Sequence, residues 1–225
     1  MLIVCLVLTG AAILAVPHLA RLAITSPTQA PPTDQGLPNA SDQVPRSRPP
    51  LCRPAQQNIP DDAAQVVRYV VTTQGAVQTA ERQFACAAAE VLADPQGWAG
   101  VGVFFQEAGQ DEPADFVLIL AAPEELPSFS PDCTPEYSCR VGSSVVINEL
   151  RWLEGTEASN QWGWDARTYQ TMVINHEVGH FLGLDHSYCA GPGETAPLMM
   201  QQSKGLDGCT PNPYPLPEEL AQVSY

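Results

Sequence analysis

Basic side chains are scarce in this sequence. Ten Lys and Arg stand against 25 Asp and Glu, a formal net charge of −15 across 225 residues. A nucleic-acid partner requires a basic stripe to neutralise phosphates, and the absence of one excludes that class. The acidic residues show no regular spacing in any loop, so no calcium-binding loop can be read; the acidity bears on solubility. No basic residue precedes the uncharged stretch Leu2 to Val16, and no A-x-A cleavage signal follows it. Histidine is rarer still, with four in the chain, and three of them fall within eleven residues.

Those eleven residues run His176-Glu177-Val178-Gly179-His180-Phe181-Leu182-Gly183-Leu184-Asp185-His186, the pattern H-E-x-x-H-x-x-G-x-x-H. On a helix, His176 and His180 leave the same face one turn apart, where one Zn²⁺ can take a nitrogen from each. Glu177 follows the first ligand and projects beside the metal, in place to act as a general base. Gly183 ends the helix, because glycine takes the left-handed conformation that a sharp turn needs. The turn returns His186 as a third ligand. Three protein ligands leave one zinc position open, the arrangement of a catalytic rather than a structural site. At ordinary residue frequencies the five fixed positions coincide by chance about 10⁻⁸ times per start point, so ordinary helix residues are a poor explanation.

The stretch resembles the metzincin zinc proteases, whose long motif is followed by a methionine-containing turn beneath the metal. Pro197-Leu198-Met199-Met200-Gln201-Gln202 is similar to that turn, with Met199 or Met200 as the supporting methionine. "HEVGHFLGLDHS" matches the zinc helix of matrix metalloproteases closely. The segments "NHEVGH", "MMQQSKGLDGC" and "PNPYP" look more like an actinobacterial family of secreted, zincin-like proteins of unassigned function. The resemblance implies a twisted, mostly parallel sheet with two main helices and an irregular C-terminal subdomain, an α/β (α+β) fold. It implies that a peptide substrate joins an edge strand of the sheet. It also implies that residues after the methionine, here Pro213 to Pro217, wall the pocket beyond the scissile bond. Some metzincins carry a metal-reaching tyrosine two residues after the methionine; Gln201 and Gln202 occupy those places here, so no such ligand is expected. Tyr188 and Tyr214 are weak substitutes.

Three regions are expected. Residues 1–24 are a signal peptide or a membrane anchor, residues 25–60 a Pro-rich disordered tether, and residues 61–225 one catalytic domain. Both readings of residues 1–24 export the rest, which agrees with an even set of six cysteines beyond Cys5. Six cysteines allow 15 pairings. Cys133 with Cys139, Cys189 with Cys209, and Cys52 with Cys86 is the favoured set. A rival makes Cys189 a fourth zinc ligand, which would close the site.

Within the domain, Gln65 to Thr73 is β-branched and reads as a first strand. Residues 77–93 read as a helix ending at Asp94-Pro95, with Phe84, Ala88, Val91 and Leu92 on one face. Residues 101–106 and 114–122 read as strands, the second apolar enough to be buried on both faces. Strand, helix, strand, strand suggests an early right-handed βα crossover. Residues 123–139 read as loop, 143–150 as a strand, and 140–142 as a short edge strand before it. Trp152, Trp162 and Trp164 fall in a polar loop and pack beneath it. The metal-binding helix begins near Asp165 or Thr168.

The expected function is an exported, monomeric zinc endopeptidase acting on peptide or protein substrates, in contact with a membrane only through its N-terminal segment. Two rivals remain open: a zinc-binding extracellular interaction module without catalysis, and a zinc amide hydrolase acting on cell-wall material.

Overall fold

The computed structural model describes residues 65–223. The expected leader, the tether and Cys52 lie outside the described residues. Among the described residues, no helix is long and apolar enough to cross a membrane.

A five-stranded sheet forms the centre, in the order β2-β1-β3-β5-β4. Strands β1 (Gln65–Gln74), β2 (Val103–Glu107), β3 (Phe116–Ala121) and β5 (Ser144–Asn148) run parallel; β4 (Cys139–Val141) pairs antiparallel with β5 and forms one edge. The two-residue period sorts the side chains. Val67, Tyr69, Val71, Phe116, Leu118, Leu120, Val145 and Ile147 enter the main core under the helices. Ile119, Ala121 and Val146 enter a smaller core on the opposite face, with Leu126 and Cys133. The reading of β3 as buried on both faces is therefore correct, and the mostly parallel α/β architecture is as expected.

Helix α1 (Glu81–Leu92) connects β1 to β2 and buries Phe84, Ala88, Val91 and Leu92. It starts four residues later than its apolar pattern suggests. The main-chain N–H groups of Gln78 and Thr79 donate to the buried Glu149 carboxylate at 2.8 and 2.6 Å, which holds them out of the helix.

The segment after β5 corrects the sequence reading. Asn148 ends the strand, because its side chain accepts from the N–H groups of Leu150 and Arg151 and caps a new helix, α2 (Glu149–Glu154). A second short helix, α3 (Glu157–Gln161), follows with a Thr156/Ser159 capping box. Trp152 is therefore a helical core residue, edge-on to Phe84 with ring centroids 4.9 Å apart. Trp162 and Trp164 stack edge-on against each other, half-buried.

Helix α4 (Ala166–Phe181) is capped by Asp165, whose carboxylate accepts from the Thr168 N–H at 2.7 Å. Those bonds from Thr168 hold the Asp165 carboxyl below its usual range. Nearly every residue from Tyr169 to Gly179 is buried. The chain closes with a long loop and a single turn, α5 (Pro217–Leu220).

Candidate metal centre

Helix α4 ends in a Schellman motif. The Leu184 N–H donates to the Gly179 carbonyl at 3.0 Å and the Gly183 N–H to His180 at 3.2 Å, with Gly183 at φ 98°. The turn swings the chain back over the helix, and the Ser187 N–H then hooks onto the Met199 carbonyl at 3.0 Å. His186 is thereby placed opposite His176 and His180. One donor nitrogen from each of the three lies within 4.8 Å of the others, a grouping that could hold a metal ion.

The tautomers suit that role. His176 Nδ1 lies 2.8 Å from the Leu198 carbonyl, and His180 Nδ1 2.8 Å from the Leu184 carbonyl. A carbonyl only accepts, so both Nδ1 atoms carry the proton and both Nε2 atoms keep a free lone pair. His180 Nε2 stands 3.1 Å from His186 Nε2. Two nitrogens bound to one tetrahedral ion at 2.0–2.1 Å sit about 3.3 Å apart, so this spacing fits a shared cation. Burial, and secondarily the neighbouring His180, push His176 down to about 3. Burial also lowers His180 and His186. Neutral imidazole is the ligating form. The residues present therefore fit the group that the motif implies.

Glu177 is buried beside the three histidines and faces the same cleft. Burial pushes its carboxyl up to about 8, with Arg140 pulling weakly the other way. The cleft has a volume of about 400 Å³. Its lining includes the β4 edge, through Cys139 and Arg140, and the loop Gln201 to Lys204.

The methionine ambiguity resolves. Met199 lies fully buried beneath α4, where a Cβ on Gly179 would come within 2.5 Å of its Sδ. Met200 points elsewhere and packs with Ala196 and Cys209. Trp98 also abuts Gly179, and its indole N–H donates to the Asn175 carbonyl at 3.0 Å. The turn itself is clamped by Glu219 of α5, a buried carboxylate that accepts from the N–H groups of Leu198 and Met199 at 2.9 and 2.7 Å. A glycine in mid-helix was the available signal for the close approach at Gly179; nothing in the sequence marked Trp98 or Glu219.

The disulfides Cys133–Cys139 and Cys189–Cys209 are present, and Cys86 is disulfide-bonded. Cys189 is thus committed to sulfur, which rules out its ligating a metal. Pro213 to Pro217 do not line the cleft; the wall is Gln201 to Lys204 instead. Gln202 is buried and ties the turn to Asn212, donating to its carbonyl at 2.6 Å and accepting from its N–H at 2.9 Å. Asn175 donates to the Pro213 carbonyl at 3.2 Å, which turns that segment towards the back of the helix. Tyr214 donates to Asp94 and Tyr188 projects into solvent, so neither is placed to reach the histidines.

Residues 51–215 match the model of the family described as a protein of unknown function, DUF3152, and the chain belongs to that family. No curated protein matches the sequence.

Proposed function

We propose that this protein is an exported zinc-dependent endopeptidase. The observation that carries the reading is the convergence of three imidazoles, two with their lone pairs fixed by backbone carbonyls, beside a buried carboxylate in an open cleft. His176, His180 and His186 would hold the ion. Zinc bound there supplies a water activated near neutral pH and polarises the scissile carbonyl.

The remaining work falls to this chain. Glu177 is the general base: it takes a proton from the attacking water and passes it to the leaving amine. Burial raises this carboxyl in the metal-free chain, and a cation held by the adjacent histidines would favour its ionised form, the state that can take a proton. Strand β4, at the sheet edge along the cleft, offers main-chain groups to an extended peptide, which would join as a further strand. The Schellman turn and the Leu198 carbonyl orient the histidine rings before the ion arrives. Disulfides in the described domain favour an oxidising compartment outside the cytoplasm.

The test joins metal analysis to cleavage of a quenched-fluorescence peptide library by the full chain. One zinc per chain is expected, with cleavage that stops in chelator and returns with zinc. Glu177→Gln keeps the zinc and loses about 10²–10⁴-fold in rate. Full cleavage by Glu177→Gln would remove the assigned base; a zinc-loaded chain that cleaves no peptide would remove the peptidase.

A further inference from the structure

Cations are rare in this chain, and their distribution among the described residues is uneven. Arg68, Arg82 and Arg167 form ion pairs with Glu112, Glu107 and Glu90. Arg151 donates to the carbonyls of Glu136 and Gly155. That leaves Arg140 and Lys204, and both line the metal cleft. They come from two different elements of its lining, β4 and the loop 201–204. Arg140 is the middle residue of β4; Cys139 and Val141 turn into the small core, so the two-residue period sends Arg140 to the cleft side. Its one hydrogen bond, 3.3 Å to the Gly142 carbonyl, leaves most of the guanidinium's donors unused. Lys204 ends the loop from Gln201, its ammonium held over the ring of Tyr137, two residues before β4, at 5.4 Å from the centroid.

The charges they exert bracket the site. Arg140 acts on Glu177 and His180, and Lys204 on His176 and His186. The acids facing the same space are Glu177, which is occupied with the chemistry, and the exposed Asp132 and Asp185. Asp185 follows the turn at Gly183, and its charge acts on His180 and His186. In a chain carrying a net −15, two cations without a carboxylate partner lining one cleft point to an anionic ligand.

Building on the peptidase reading, we propose that the cleft selects peptides bearing carboxylates flanking the scissile bond, read by Arg140 of β4 and Lys204 of the loop 201–204. A fork of guanidinium donors suits a carboxylate held against the edge strand, whereas the lysine reads it as a point charge. The carboxylate can belong to an acidic side chain or to the substrate's own C-terminus.

The test uses the zinc-loaded full chain and peptides that differ only in Glu, Gln or Lys flanking the cleaved bond, each with a free and an amidated C-terminus. The Glu peptides should be cleaved faster than their Gln counterparts, by up to about fivefold for each exposed contact, and the Lys peptides slowest. Loss of rate on amidation alone assigns the carboxylate to the terminus; indifference to amidation assigns it to side chains. Lys204→Glu should invert the preference at one flanking position and Arg140→Glu at another. If a reversed charge costs the protein its zinc, Lys204→Met and Arg140→Gln carry the comparison and should abolish the preference. Binding of the same peptides to zinc-loaded Glu177→Gln, followed by fluorescence anisotropy, separates the two ideas. Cleavage without charge preference overturns the carboxylate reading and leaves the peptidase. Charge-selective binding without cleavage by the wild type leaves the carboxylate site and overturns the peptidase.

Discussion

Gly179 and Met199 touch at the floor of the candidate metal centre: a Cβ on Gly179 would stand 2.5 Å from the Met199 sulfur and 2.9 Å from Trp98 Cζ2. Helix propensity alone favours alanine there by about 1 kcal/mol. Packing decides otherwise. A methionine can yield, but Met199 is fully buried, and Trp98 is pinned by its bond to the Asn175 carbonyl. Gly179→Ala should therefore destabilise by about 1–3 kcal/mol, the usual cost of overpacking a core, and weaken metal retention by tilting α4. Urea unfolding and zinc content measure the two effects. Truncating the neighbour in Gly179→Ala/Met199→Ala should recover part of the metal binding; a double variant worse than both singles would place the strain elsewhere.

Glu219 predicts a second kind of failure, at a distance. Its carboxylate accepts from the N–H groups of Leu198, Met199 and Leu216, and the Leu198 carbonyl in turn accepts from His176. Removing it leaves buried donors without a partner, at about 1–3 kcal/mol each. Glu219→Ala should lower stability by several kcal/mol and raise the zinc dissociation constant, because the His176 ring loses its fixed tether. Glu219→Gln, which keeps one acceptor oxygen, should fall between. Competition against a fluorescent zinc chelator reads the affinity directly; an unchanged affinity in a folded Glu219→Ala protein would break the link from α5 to the metal.

The contrast between what the sequence disclosed and what it hid follows from range. His176, Glu177, His180, Gly183 and His186 sit in one helix and one turn, so local spacing determines their geometry. The apolar runs of β1 and β3 were legible for the same reason. Helices α2 and α3 were hidden because Asn148 switches the chain from strand to helix through its side chain, while the β-branched run before it gives no warning. The late start of α1 depends on Glu149, about seventy residues away in sequence. Which methionine supports the metal, and which loop lines the cleft with β4, are likewise decided by long-range packing: Gln202 bonding Asn212 and Asn175 bonding Pro213 turn the proline-rich tail away from the cleft.

The two resolved disulfides should differ in weight. Cys189–Cys209 closes a separation of 20 residues around the methionine turn, and Cys133–Cys139 one of 6. Loop-closure entropy gives about 3 kcal/mol for the first and about 2 for the second. The larger loop also carries Met199, which packs against Gly179 from beneath and anchors Ser187 just beyond His186. Replacing Cys189 and Cys209 by serine should therefore lower both melting temperature and zinc affinity. The same change at Cys133 and Cys139 should lower the first and move the second little. Equal loss of zinc in both pairs would show that the loop bracket has no special hold on the third histidine.

Stripping the metal exposes opposed titrations at the centre. His176 falls from 6.5 to about 3 in the folded chain, and Glu177 rises from 4.5 to about 8. Below pH 6.5 the unfolded chain gains a proton at His176 that the folded chain refuses, so this group's contribution is lost as pH falls towards 3. Above pH 4.5 the folded chain retains a proton at Glu177 that the unfolded chain gives up, so that contribution is lost as pH rises towards 8. Between 4.5 and 6.5 the His176 and Glu177 slopes oppose, while His180 and His186, both also lowered, add to the loss on the acid side. Metal-free protein should thus be most stable near pH 6.5 and weaken on both sides, by about 2 kcal/mol between pH 6.5 and pH 8 and by at least that towards pH 3. Glu177→Gln removes the alkaline loss and leaves the acid one. Urea midpoints of chelator-treated protein from pH 3 to pH 9 would measure both limbs; a midpoint that climbed steadily through pH 8 would mean that Glu177 ionises freely in the folded chain.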